Sequence, residues 1–142
     1  MTNVNYILKR DFPITFEATA TEDLGMDSTG KTWPEAPDTT VGLLLQFTGD
    51  DQVGLCDPSS GTYFAGVSEI PVYSGQKATV RTSGIILVVA GETIVAGQHV
   101  KVDESTSQRV AVAGATEATK IIGRAITGGN DGDTIKILLR GY

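Results

Sequence analysis

With 142 residues, 11 Lys and Arg against 17 Asp and Glu, and a pI near 4.6, the chain has the size of one ordinary domain and a formal net charge of -6. That charge repels a phosphate backbone, and no basic run exceeds Lys9-Arg10, which argues against nucleic-acid binding. No segment nears the roughly 20 apolar residues that span a bilayer, and the single Cys56 excludes an internal disulfide framework, so the expectation is a soluble chain, outside any membrane, that folds in a reducing cytoplasm.

The N-terminus, Met1 to Arg10, places its charges after its apolar residues and has no long apolar core, so it does not read as a secretory signal. Residues 1–40 set Lys9, Arg10 and Lys31 against seven acidic residues, with Pro13, Pro34 and Pro37 among them. This composition predicts an extended acidic arm with little core of its own. Within it Phe12, Ile14 and Phe16 alternate with Pro13, Thr15 and Glu17, the period of a strand that its proline confines to a sheet edge.

Residues 41–142 change character to short β-type runs separated by glycine-bearing turns, with no sustained helical period. Val41, Leu43, Leu45 and Phe47 alternate with Gly42, Leu44, Gln46 and Thr48, and Ala78 and Val80 alternate with Lys77, Thr79 and Arg81. Gly84 to Ala90 is apolar on both faces, which predicts a central strand. Val100 and Val102 oppose His99 and Lys101. The segment from Gly114 to Lys120 is long enough for one helical turn. Ile121 to Ile126, a turn over Gly128 to Asp133, and the alternating Ile135, Ile137 and Leu139 predict a closing hairpin. The fold class read from this pattern is all-β: a small barrel or sandwich behind an extended N-terminal arm.

Little in the chain points to chemistry. One His and one Cys, with no CxxC or HExxH spacing, argue against a metal centre or a cofactor, and Asn130-Asp131-Gly132-Asp133 lacks the bidentate Glu of a calcium hand and reads as a tight turn. A catalytic triad would need His99, which alternation puts beside Lys101 on a polar strand face, where a surface or interface histidine is expected. Cys56 reads as a small buried hydrophobe at a strand end. Gly91 and Gly97 have the spacing of a lipoyl-type domain, but no lysine sits in a tight hairpin between matching strands. The expectation is a protein that is not an enzyme.

Five pieces in sequence carry a resemblance. They are Thr62 to Val67, Val80 to Val88, Ala96 to Asp103, Ile122 to Thr127, and Gly132 to Leu139. Their order resembles the capsid decoration, or cement, proteins of tailed phages, of the β-tulip type related to the lambda head decoration protein. The resemblance covers about residues 60–142. It implies a structural virion protein, made in the host cytoplasm, that sits as a homotrimer on the outer surface of the expanded capsid and locks neighbouring major capsid protein subunits together against internal DNA pressure.

On that reading the arm extends a sheet edge of the capsid protein through Phe12, Ile14 and Phe16, with Tyr6, Ile7 and Trp33 as apolar anchors, although each aromatic has packing on its own barrel as the alternative. Leu44, Ile122 and Leu138, apolar residues that alternation turns outward, are the candidates for the trimer interface. The competing reading is a β-rich carbohydrate- or receptor-binding module on a tail or fibre, which the scarcity of Trp and Tyr disfavours.

Overall fold

The computed structural model describes residues 14–24, 42–57, 63–68 and 70–140. These residues form two β-sheets, each with its own core, that meet at a shared wall. The first sheet contains β1 (Thr15–Ala20), β2 (Leu43–Gly49), β3 (Gln52–Leu55), β4 (Phe64–Ser68) and β5 (Lys77–Arg81), ordered β1-β3-β2-β4-β5 and closed into a barrel. Closure depends on β1, which pairs antiparallel with β5 from Thr15–Arg81 to Thr19–Lys77 and parallel with β3 at Thr19–Gln52 and Ala20–Val53.

The expected boundary near residue 40 therefore does not divide the molecule as the composition implied. Thr15–Ala20 had been assigned to the arm, yet it is a barrel strand with Ala18 and Ala20 in the core. Its period-2 alternation was real. The partner that the alternation serves is this chain's own β5 rather than a foreign sheet.

The second sheet contains β6 (Gly84–Val89), β7 (His99–Val102), β8 (Val110–Val112), β9 (Gly123–Ala125) and β10 (Thr134–Leu139), ordered β6-β10-β9-β7-β8. A single 3-10 turn, Ala118–Lys120, falls in the segment where one helical turn was expected. The closing hairpin is present, with Ile137 opposite Ala125 and Leu138 opposite Arg124. Gly123 allows that approach, because a Cβ there would lie 2.4 Å from the Leu138 carbonyl oxygen. The prediction that Gly84 to Ala90 is a central strand is corrected: β6 is an edge strand, paired along one side with β10, and Ile85 is 53% exposed.

Two cores share one wall. Leu43, Leu45, Val53, Ala65, Ala78 and Val80 fill the barrel. Leu44 and Val67, on the opposite faces of β2 and β4, join Cys56 in the core of the second sheet with Ile86, Val88, Ile135, Ile137 and Leu139. Strand β2 is thus buried on both sides, which is why three consecutive leucines stand where a half-exposed strand would alternate. Each fully buried leucine contributes about 2 to 3 kcal/mol of apolar transfer energy. The barrel also needs a glycine at the β4–β5 contact: Gly66 has φ +151, and a Cβ there would sit 2.5 Å from the Arg81 carbonyl.

Gln108 ties the two sheets together. It lies in the β7–β8 connection with a left-handed φ of 60, and its side-chain amide brackets the backbone of Leu44. Leu44 N donates to Gln108 Oε1 at 2.8 Å, and Gln108 Nε2 donates to Leu44 O at 2.9 Å. The Leu44 carbonyl also accepts from Cys56 N at 3.0 Å, just beyond the end of β3, so a residue from the other sheet satisfies the Leu44 N–H and shares its carbonyl with the barrel.

Candidate functional site

Alternation on β6, β10, β9 and β7 sends one set of side chains into the second core and the other to the outer face of that sheet. The outer set is unusual for an acidic chain. Across the strands a row runs Ile85, Leu138, Arg124 and His99, each opposite the next in register. A second row has Leu87 opposite Lys136, and the backbone N–H of Ile126 donates to the Lys136 carbonyl at 2.8 Å. Ile85, Leu138 and Ile126 are exposed to 53%, 50% and 41%, so the face has an apolar centre. No outward residue of these strands is a carboxylate.

Beside this face the charges are matched among themselves. Lys101 on β7 is hydrogen-bonded to Glu117 and lies 3.6 Å from Glu104, while Lys120 lies 2.6 Å from Glu104 and 3.7 Å from Glu117. The Lys101 hydrogen bond, followed by the Gly114 N–H, holds the Glu117 carboxyl below the ordinary range, and the Lys120 hydrogen bond does the same for Glu104. Lys101 is raised above its ordinary value, because the Glu117 hydrogen bond outweighs the cost of burial. Arg109 is paired with Asp131 at 2.6 Å. Arg124, whose Nε donates to the Gly97 carbonyl, and Lys136 are thereby the cations that give the face its positive character.

The sequence-derived interface residues divide sharply. Leu138 is exposed at the centre of the face. Leu44 and Ile122 are not: they are 0% and 2% exposed in the core, and their assignment as outward interface residues is corrected. Alternation had put Leu44 on the surface because it cannot reveal that the far side of β2 is covered by a second sheet. Ile122 precedes β9 and hands its carbonyl to Arg140 N, which seats its side chain among the core residues.

Among the arm residues, Ile14 is 55% exposed and bound through its backbone to Thr82 and Ser83. Phe16 stacks on Phe47 with ring centroids 5.8 Å apart, so its partner is the barrel. Tyr6, Ile7, Phe12 and Trp33 lie outside the described residues. Ile85, Phe47, Tyr63, Arg124 and Lys136 were not singled out from the sequence. The exposed β6 residue was hidden in a run that read as buried on both faces, and Arg124 and Lys136 lie on separate strands that only pairing brings together.

Cys56 is buried, and desolvation pushes its thiol up to about 12, which makes it inert packing. Among the described residues no group of three or more His, Cys, Asp or Glu is placed to hold a metal ion. No helix among them is long and apolar enough to cross a membrane.

No protein-family model matches the chain, and no curated protein sequence matches it. Among solved structures the fold is similar to the N base of the head fiber gp8.5 of bacteriophage phi29, with a TM-score of 0.56 and 15% identity over 91% of this chain and 95% of that one. Identity that low speaks for the fold alone.

Proposed function

We propose that this protein is a structural component of a phage virion that binds the outer surface of the expanded capsid, as a homotrimer, and cements neighbouring major capsid protein subunits. The observation that carries this reading is the likeness to a phage head fiber base over nine tenths of both chains. The lambda-type resemblance in the order of strands and glycine turns from residue 60 onward points the same way. So does the character of the candidate surface, which is a broad apolar and cationic sheet face suited to another protein.

Mechanically, such a protein bridges a joint in a thin shell. Separating the shell subunits then also requires breaking the bridge, and several linked contacts hold far longer than one. In this reading residues 2–13 supply the arm that engages the capsid protein. The deletion that tests it must stop short of Thr15, since β1 closes the barrel.

The test is co-sedimentation of the purified protein with expanded and unexpanded heads. Saturable binding to expanded heads alone supports the reading, and no binding to either overturns it. A second reading, a base that holds a projecting fibre on the head, is favoured by the same structural likeness. Electron microscopy of saturated heads separates the two, because a cement protein leaves low knobs and a fibre base leaves projections.

A further inference from the structure

Charge is segregated in this molecule. Among the described barrel residues, Glu17, Glu22, Asp23, Asp50, Asp51 and Asp57 stand against only Lys77, which pairs with Asp51 at 3.5 Å, and Arg81, so acid stays in excess there even though Glu22 and Asp23 also accept backbone N–H groups. In the second sheet the carboxylates lie at the turns and not on the outer face: Glu92 follows β6, Glu104 and Glu117 pair with lysines, Asp131 with Arg109, and Asp103 and Asp133 accept from backbone N–H groups. What remains on the outer face of that sheet is cationic around an apolar centre. The barrel holds the reciprocal pattern. Phe47, stacked on Phe16 and 45% exposed, donates its backbone N–H to Tyr63, itself 76% exposed, and the same strand turns at Asp50-Asp51.

We infer that the outer face of the second sheet, centred on Ile85 and Leu138 and flanked by Arg124 and Lys136, docks on the Phe47–Tyr63 barrel surface of a second copy of this chain. The two surfaces differ, so the joint is heterologous: each copy offers its sheet face to one neighbour and its barrel to the other. A self-matched, two-fold joint would instead bring Arg124 and Lys136 of both copies together, and like charges at a buried joint are unfavourable. A heterologous joint closes into a ring when its rotation permits. The inference deepens the oligomer named above and rests on that reading for the number of copies only.

Because the joint has two unlike halves, it can be broken from either side and repaired by mixing. The wild-type chain is expected to run as a multiple of 14.9 kDa by light scattering and to lose mass as salt rises. Leu138→Asp damages only the sheet face, and Tyr63→Asp only the barrel surface. Both positions are exposed in the single chain, so both variants keep the wild-type circular dichroism, and each runs as a monomer with the melting temperature of the unassembled chain. Mixed one to one, they form a dimer through the single undamaged joint between them. A monomeric wild type, a Tyr63→Asp variant that still assembles, or a mixture that stays monomeric each overturns the proposal. Head co-sedimentation of the same samples reads the virion function separately, since an assembled ring that ignores heads refutes that function and leaves the joint standing.

Discussion

The barrel and the second sheet use the same ten-residue rhythm of strand and turn to opposite ends. The barrel joins β1 to both β3 and β5 and so leaves no free strand edge, and small side chains such as Ala18, Ala20, Ala65 and Ala78 fill its narrow interior. The second sheet keeps two edge strands and builds its core from Ile86, Ile135, Ile137 and Leu139, while Ile85 and Leu138 stay outside. Closure gives a rigid support and consumes edges; an open sheet leaves a face to present. The difference explains how Ile85 and Leu138 stand side by side on an open face, and why the shared wall at β2 matters to both halves.

The wall is where this comparison breaks most severely. Leu44→Asp places a charge between two dry cores and should abolish the folded state, seen as loss of the β signal in circular dichroism. The milder Leu44→Ala should cost about 2 to 5 kcal/mol in urea unfolding through the cavity it leaves. Both sheets should melt together in these variants, because β2 is a barrel strand whose Leu43 and Leu45 fill the barrel while its Leu44 fills the second core.

Gln108→Ala removes two hydrogen bonds to Leu44 and should cost about 1 to 3 kcal/mol, with amide exchange rising first at residues 42–45. Gln108→Gly relieves the left-handed backbone but loses the same bonds. It should fall short of the alanine variant's loss, which separates strain from latching.

Acid should act on the second sheet before the barrel. Glu104 and Glu117 are held below their ordinary value of 4.5 in the folded protein, so their stabilisation is complete above that pH and is lost as the pH falls through the depressed folded values. Lys101 behaves in the opposite sense: its contribution is present below 10.5 and is lost as the pH rises past its raised folded value. Glu117→Gln should flatten the acid limb of the melting temperature and leave the barrel amides unchanged. If the barrel amides open first, the ion pairs are not what limits acid stability.

The smallest effect belongs to the outer face. Leu138→Asp should change the stability of the unassembled chain, compared at a dilution where the wild type is also monomeric, by no more than about 0.5 kcal/mol, against the collapse expected for Leu44→Asp on a strand of the same alternating type. A large loss at Leu138 would mean that the face is structural and not presented.

How much of this was legible beforehand differs by element. Ala78 and Val80, Val100 and Val102, and the closing hairpin were readable because a two-residue period is a local property that half-buried strands impose on their sequence. The all-β class, the barrel and the buried thiol at Cys56 follow from the same reasoning. Leu44 and Ile85 were misread for one shared reason: alternation says that a strand has two faces and cannot say which face another sheet will cover.

By itself, then, the sequence determined that the chain pairs as strands, where the turns fall, and that the chain turns over Asn130 to Asp133. Tertiary structure alone decided that Thr15–Ala20 closes a barrel, that β2 is a wall between two cores, and that Arg124, Lys136, Ile85 and Leu138 share one face. The physical reason is range. Propensity and periodicity act over neighbouring residues, whereas burial and charge grouping depend on strands that lie far apart in the chain and meet only through pairing.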